Sequence, residues 1–357
     1  MLSRRSMVLG AAAAACSRNQ SPPPGPAAPA SPSSSSPQPP AATTAGAPAA
    51  AGTVPKRQLG RTGVQVSMLG LGGFHIGNKA KLSDEESVKL IRHAVDQGVT
   101  FLDNCWDYNE GLSEERMGKA LQDGYRQRVF LMTKLDAHKA DVALQQLEQS
   151  MKRLRTDHID LVQIHEVIRA TDPERCFAKG GIVEGLVKAR EAGKLRYIGF
   201  TGHKHPKIHL AMLDEADKHG FHFDTVQMPL NVLDAHFRSF EREVLPRLVR
   251  AEIGVLGMKS MGSGDVLKAS VATAEECLRY ALSLPTSVVI SGQDSFDVLE
   301  KNLRVARSFK PFTDEERQAL LDRTRSAAGS GEYEAFKTSK KFDGTEQNPH
   351  WLEKAEL

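Results

Sequence analysis

From about residue 66 onward the chain alternates between short runs of consecutive apolar residues and longer stretches in which apolar residues recur every three or four positions. The short runs are Val66 to Phe74, Thr100 to Asn104, Val129 to Leu135, Ile159 to His165, Tyr197 to Thr201, Thr225 to Leu230, Gly254 to Met258 and Ser287 to Ser291, and they predict eight strands. Between them, Asp84 to Asp96, Ala140 to Leu154, Pro206 to His219 and Ala274 to Leu284 each present one apolar face and predict helices. Strands that are apolar along their whole length are buried on both faces, the condition of a parallel sheet covered by helices. Eight strand–helix units in about 240 residues suit an α/β fold closed into a (β/α)8 TIM barrel. An open, doubly wound sheet is the alternative. Its phosphate-binding fingerprint would fall at Gly70, Gly72 and Gly73 in LGLGGF, but the third glycine is misplaced and Leu90, about 20 residues on, is no ribose-binding acid. The glycine cluster reads instead as a strand-end turn. Ahead of it, LGRTG between Gln58 and Val64 predicts a hairpin turn covering one end of the barrel.

The first 54 residues are patterned differently. Arg4 and Arg5 in SRRSMVLG precede a short apolar run from Met7 to Ala15, and Cys16 closes it. A basic segment, a short apolar segment and a processing point resemble a twin-arginine export signal, and the run is far shorter than the ~20 residues needed to span a bilayer. Cys16 after alanines is similar to a bacterial lipoprotein box, although the usual leucine three residues earlier is absent. From Arg18 to Thr53 there is no Leu, Ile, Val, Phe or Tyr, and ten of the 18 prolines lie between Ser21 and Ala50. Such a segment has nothing to bury and is expected to act as an extended spacer. The organisation expected is therefore an export signal over 1–16, a disordered linker over 17–54, a barrel over 55–327 and a C-terminal tail over 328–357. The expected address is the periplasmic side of a bacterial inner membrane, with the protein either soluble or held there by a lipid tether at its N-terminus.

Charge narrows the range of partners. The formal net charge is +3, and setting aside Arg4, Arg5 and Arg18 leaves 44 basic and 44 acidic residues, so nothing attracts nucleic acid. Cys16, Cys105, Cys176 and Cys277 are the only cysteines, without a C-x-x-C pair or the local spacing of a metal site, and no metal is expected.

A barrel of this kind carries its chemistry at the C-terminal ends of its strands. There the sequence reads FLDNCWDYNEGLSEERMGKAL after the second strand, LMTKL at the third and IDLVQIH at the fourth, which puts Asp103, Tyr108, Lys134 and His165 at or just past successive strand ends. Taken singly, each has an ordinary explanation: a helix-terminal charge, an exposed loop tyrosine, a solvated lysine, one of 12 histidines. Four in order at three strand ends do not share one.

From Arg57 to about Glu316 the chain resembles the aldo-keto reductases. The family's Asp, a Tyr five residues on, a Lys closing the next strand and a His closing the one after are matched by Asp103, Tyr108, Lys134 and His165, which the resemblance implies as a catalytic tetrad. GLSEERMGKAL is similar to the helix that follows the family's tyrosine, and VQMPLN to its sixth strand with a nicotinamide-contacting Gln227. Reducing a carbonyl builds negative charge on oxygen, so a proton donor must face that oxygen. Tyr108 is the candidate, Lys134 the cation expected to lower its pKa, Asp103 the partner of Lys134, and His165 the group that orients the carbonyl. The hydride must come from nicotinamide, because the protein has no redox group of its own.

The cofactor half of the resemblance is looser. GFTGH stands where the family often has Ser-Asn, leaving Thr201 and His203 for the carboxamide, and LGMKSMGSG replaces the usual stacking aromatic with Met258. Lys259, Ser260 and Gly262 suit the pyrophosphate, and Gly292, Glu300 and Asn302 in SGQDSFDVLEKN match the family's adenosine-binding end. Lys301 is the only cation between Ser291 and Asn302, where many members carry an arginine for the 2'-phosphate; NADP(H) is favoured over NAD(H) by family habit alone. Trp106 and Asn109 in the Tyr108 loop, and Trp351 in a tail that also carries Phe336 and Phe342, are candidates for the substrate pocket. The tail either covers the barrel mouth or frays. A small-molecule carbonyl compound is the implied substrate, and a cofactor-binding regulatory or sensor barrel without significant turnover is the alternative.

Overall fold

The computed structural model describes residues 52–357; the signal-like segment, Cys16 and most of the proline-rich linker lie outside the described residues. The chain enters through an antiparallel hairpin, β1 (Lys56–Gln58) and β2 (Gln65–Ser67), joined by the LGRTG turn. Eight parallel strands follow: β3 (Leu69–Gly72), β4 (Phe101–Asp103), β5 (Phe130–Leu135), β6 (Ile159–Ile164), β7 (Leu195–Thr201), β8 (Thr225–Pro229), β9 (Gly254–Met258) and β10 (Val288–Gly292). Each pairs with the next and β10 pairs back onto β3, so the sheet closes into a barrel. The open doubly wound alternative is excluded.

Every apolar run contains a barrel strand, but the first is divided. Val66 and Ser67 belong to the hairpin, and the barrel strand begins only at Leu69. The Ser67 hydroxyl accepts from Thr100 N at 2.8 Å and donates to Leu69 O at 2.7 Å, so a side chain takes over the bonds that a continuous strand would make. Helices cover the outside, over Asp84–Asp96, Ala140–Leu154, Pro206–Lys218 and Ala274–Ser283 among others. The first and last of these open on reciprocal capping bonds, Ser83 with Glu86 and Thr273 with Glu276. Leu90, Ile91, Ala94 and Val95 of one, and Leu147, Met151 and Leu154 of another, turn inward onto the outward-facing strand residues.

The barrel interior is what positions the site. A cluster of Phe101, Phe130, Met132, Leu161, Leu256, Val288 and Ile290 fills it from below, and Leu59 and Val66 of the hairpin join that cluster. Arg61 N donates to Glu252 O at 2.8 Å, just ahead of β9, which fixes the hairpin across the N-terminal end of the barrel. Side chains alternate along a strand, so the inward series on β5 runs Phe130, Met132, Lys134, and on β6 Leu161, Gln163. The interior therefore changes from apolar to polar along the strands, and the polar layer sits at their C-terminal ends.

The tail packs over that end. Beyond the helix Asp314–Ala328, Phe336 and Leu352 are buried, and Lys337 is fully enclosed with Asp234 at 2.6 Å and Glu334 at 3.0 Å. Leu352 O accepts from His138 N at 3.0 Å, and Glu166, directly after the β6 histidine, accepts from Gly344 N and Thr345 N at 2.8 Å each.

Candidate active site

Asp103, Lys134 and Tyr108 meet at the upper end of the barrel. Asp103 closes β4 and Lys134 lies on β5, and the register pairs Asp103 with Met132, so the lysine stands two residues further along and its long side chain reaches across. Its Nζ donates to Asp103 Oδ1, to Asn104 O at 2.7 Å and to Tyr108 Oη at 3.3 Å. Lysine and aspartate are both almost fully enclosed, at 1% and 5% side-chain exposure. A buried cation with an anion and a carbonyl as partners is compensated, whereas either charge alone would not be. Gly73 lets the turn after β3 pack against the end of β4, because a Cβ there would stand 2.7 Å from the Asp103 backbone O and 2.9 Å from the Asn104 side chain.

Burial, followed by the negative charge of Asp103, pushes the Tyr108 phenol well above its ordinary value. That differs from the expectation that Lys134 lowers it. The lysine charge is already balanced by Asp103, so the phenol feels an ion pair rather than a free cation. Tyr108 is held protonated, the form a proton donor requires. Its ring lies edge-on to His165, with centroids 5.9 Å apart, and edge-on to Phe74 at 5.4 Å.

His165 follows β6 and contacts three side chains absent from the sequence-based site. Its Nδ1 lies 2.8 Å from Asp136 Oδ1, 3.2 Å from Cys105 Sγ and 3.8 Å from Asp107 Oδ1. Burial opposes a charge on the ring, but Asp136, by its field and hydrogen bond, together with Asp107 and Glu166 lifts the imidazole to about 9. Burial, then the charge of Asp136, raises the Asp107 carboxyl to about 7.

The residues expected to hold a cofactor divide into three groups. Gln227, on β8, hydrogen-bonds Asp103 across the barrel, yet its Oε1 is buried without a partner among the described residues. Gln293, just past β10 and not among the expected residues, has both amide atoms buried without a partner among the described residues. Orphaned amide groups at the strand ends fit a bound group rich in amide and hydroxyl functions, as nicotinamide dinucleotide is. Thr201 Oγ1 lies 4.0 Å from Met258 Sδ, and Ser260, two residues past Met258, is buried. Lys259 adopts a left-handed φ of 56°, and its Nζ stands 5.3 and 5.2 Å from the Phe336 and Phe342 ring centroids. Burial lowers this lysine to about 8. Gly262, also left-handed at φ 55°, faces Val266 and the tail near Tyr333 and Phe336.

At the adenosine end the picture changes. Glu300 points away from the mouth to His93 Nε2 at 2.6 Å, on the helix Asp84–Asp96, and is 46% exposed. Asn302 donates to Ser291 Oγ at 3.2 Å. Gly292 leaves no open cradle: a Cβ there would sit 2.0 Å from His75 Nδ1, so the glycine accommodates that imidazole. Lys301 is paired with Asp297 at 2.7 Å, and Lys81, from a distant segment, reaches Asp294 at 3.7 Å.

Of the pocket candidates, Trp106 is completely buried. Its Nε1 donates to Gln149 Oε1 at 2.6 Å and its ring meets Trp351 edge-on at 5.8 Å, so both tryptophans join the tail to the helix Ala140–Leu154 rather than form an open wall. Asn109, left-handed at φ 54°, donates to Phe74 O at 2.8 Å and ties the Tyr108 loop to the turn after β3. His203 instead meets the tail, at 3.0 Å from Asp343 Oδ1.

Known proteins resemble this chain in sequence and in fold. Residues 68–274 match the aldo/keto reductase family. An aldo-keto reductase of Bacillus subtilis, YhdN, is 33% identical over 203 residues, 52% of this chain and 55% of that protein. An aldo-keto reductase of Alternaria alternata, AFTS1, is 27% identical over 251 residues, 59% of this chain and 66% of that protein. The chain thus spans between about half and two thirds of the length of these curated relatives. Among solved structures, the holo form of aldo-keto reductase AKR11C1 from Bacillus halodurans superposes with a TM-score of 0.63 at 23% identity, over 78% of this chain and 99% of that one, a likeness of fold.

Proposed function

The chain belongs to the aldo/keto reductase family, and from that premise we propose that it is a nicotinamide-dependent carbonyl oxidoreductase acting on an aldehyde, ketone or sugar, with Tyr108 as general acid. The observation that carries this reading is the convergence of Asp103, Lys134 and Tyr108 on one ammonium group at the mouth of a closed barrel, with His165 against the tyrosine ring. A nicotinamide dinucleotide held by Gln227, Gln293, Thr201 and the Met258–Gly262 segment would supply the hydride chemistry. Tyr108 Oη gives its proton to the substrate oxygen as charge develops there, and Lys134 Nζ, 3.3 Å away, stabilises the phenolate left behind. Asp103 keeps the ammonium in place, and His165 orients the carbonyl through its ring N–H. Gln227, Gln293, Thr201 and the Met258–Gly262 segment are the groups of this chain offered to the cofactor.

The test is turnover of a carbonyl panel by the full-length chain, with NADPH and NADH in parallel and dinucleotide binding measured separately. At least one reactive aldehyde should be reduced. Binding without turnover on any substrate would favour the sensor reading, and loss of both would remove the proposal. NADP(H) is the favoured cofactor, but the two nearby lysines are exposed and already paired, and each contributes about 1 kcal/mol or less. Discrimination between the two cofactors should stay below roughly a thousandfold, ~4 kcal/mol.

We also propose that the barrel works outside the bacterial inner membrane, on a tether. Arg4 and Arg5, the short apolar run and Cys16, followed by a segment without large apolar residues, support this reading. Among the described residues no helix is long and apolar enough to cross a membrane. Cell fractionation of wild type, of Arg4→Lys with Arg5→Lys, and of Cys16→Ala tests it. Export should fail in the double variant. Membrane association lost only in Cys16→Ala marks a lipid anchor, at ~0.8 kcal/mol per buried CH₂ of each chain. Wild-type protein confined to the cytoplasm rejects the proposal.

A further inference from the structure

Three consecutive strand ends bring together four donors, His165 of the proposed reductase site and three side chains to which that chemistry assigns no role. Cys105 and Asp107 lie on the loop after β4, Asp136 follows β5 and His165 follows β6. One donor atom from each lies within 4.8 Å of all the others. His165 Nδ1 is central, at 2.8 Å from Asp136, 3.2 Å from Cys105 Sγ and 3.8 Å from Asp107. Around a tetrahedral Zn²⁺, with N and O donors at about 2.0–2.1 Å and S at about 2.3 Å, donor atoms stand about 3.3 Å apart for N and O and about 3.5 Å apart for N and S. The three separations from His165 Nδ1 bracket those values, and the other pairs, none more than 4.8 Å apart, would draw in by up to about 1.5 Å to seat the ion.

Burial supplies a second, independent indication. Asp136 is fully enclosed, and among the described residues its Oδ2 has no hydrogen-bond partner; Asp107 Oδ1 is likewise buried without a hydrogen bond there, its approach to His165 Nδ1 being 3.8 Å. Folded proteins rarely leave buried carboxylate oxygens unmatched, because each costs desolvation without return. The neighbouring cation Lys134 is committed to Asp103. The cluster thus sets two carboxyl groups and a thiol around a single imidazole, a donor set that a bound cation would match.

We propose that Cys105, Asp107, Asp136 and His165 form a tetrahedral binding site for one divalent cation of the zinc class. The mixture of thiolate, imidazole and carboxylate suits Zn²⁺ and disfavours Mg²⁺ or Ca²⁺, which take oxygen donors throughout. Cys105 must bind as thiolate and His165 as neutral imidazole, so uptake of the ion expels the thiol proton and the proton shared between His165 and the carboxylates. Metal at Nδ1 also fixes the tautomer of His165, placing its remaining N–H on Nε2, for which no protein partner exists among the described residues. The ion would thus orient the same ring that the proposed reductase needs as a donor. Metal content is measured without substrate, so this proposal and the reductase reading fail separately.

The experiment uses the full-length chain, loaded with Zn²⁺ or Co²⁺ and dialysed, with metal per chain determined by elemental analysis and the cobalt form examined by absorption spectroscopy. Wild type should retain one equivalent of zinc, and its cobalt form should show a thiolate-to-metal charge-transfer band with intense tetrahedral d–d absorption. Cys105→Ala should lose the charge-transfer band and weaken retention by at least ~10-fold to 100-fold, whereas Cys176→Ala should keep both. Asp136→Asn, which preserves shape, should weaken binding to a similar degree; if Cys105→Ala does not fold, this variant and the wild-type cobalt spectrum decide the matter. Zinc well below one equivalent in wild type, a cobalt spectrum without a thiolate band, or unchanged retention in Asp136→Asn would each overturn the site.

Discussion

Replacing Tyr108 by phenylalanine is expected to leave dinucleotide binding intact and to lower carbonyl turnover by about 10²-fold or more. The substitution keeps the ring, and therefore its edge contacts with Phe74 and His165, and removes only the hydroxyl that stands 3.3 Å from Lys134 Nζ. Burial and the charge of Asp103 hold that hydroxyl protonated, so in the free protein it is a donor and not a base. Loss of the donor acts on the step in which negative charge reaches the carbonyl oxygen. The effect should therefore appear in kcat and kcat/KM together, with the dissociation constant for the dinucleotide near that of wild type. Turnover equal to wild type would remove Tyr108 from the chemistry, and loss of dinucleotide binding as well would show that the ring itself, rather than its hydroxyl, had been disturbed.

The barrel was legible because its strands are read locally. An apolar run such as Val129–Leu135 is a strand whichever partners it finds, and Ser83 with Glu86 marks the start of a helix within four residues. That Asp103, Lys134 and His165 meet at the mouth was legible for a related reason: they are polar residues at the ends of otherwise apolar runs, and inward alternation carries them there. The His165 neighbours have no such signal. Cys105 and Asp107 look like ordinary loop residues beside Tyr108, and Asp136 like a helix-proximal charge. Metal-site spacing is sought along the chain, whereas here successive strand ends bring the donors together in space.

The adenosine end shows the reverse. Glu300 and Gly292 occupy matching positions in the sequence, but one is drawn outward by His93 and the other makes room for His75, and both partners come from segments some 200 residues away. The tail was undecidable from its composition, because Phe336 and Trp351 among charges fit a frayed end as well as a cover. What holds it down is the pairing of its charges with barrel residues, Lys337 with Asp234 and Asp343 with His203. Such pairing depends on tertiary position and leaves no periodic trace.

Lys134→Met is expected to abolish measurable carbonyl reduction and to destabilise the fold by roughly 3–5 kcal/mol, the cost of breaking a buried pair by removing one partner. Methionine fills nearly the same volume, so the loss is one of charge and hydrogen bonds rather than of packing. Asp103 would then remain enclosed at 5% exposure with Gln227 as its remaining side-chain donor, and Asn104 O would lose its lysine partner. The phenolate formed when Tyr108 gives up its proton would face that unpaired carboxylate, which opposes the very step the lysine assists. The double variant Asp103→Asn with Lys134→Met separates the two effects. Removing both charges should recover much of the stability, measured by denaturant midpoint, because no uncompensated ion is left behind. It should recover none of the turnover, because no cation remains to stabilise the phenolate. Restored turnover in the double variant would show that Lys134 serves only to neutralise Asp103.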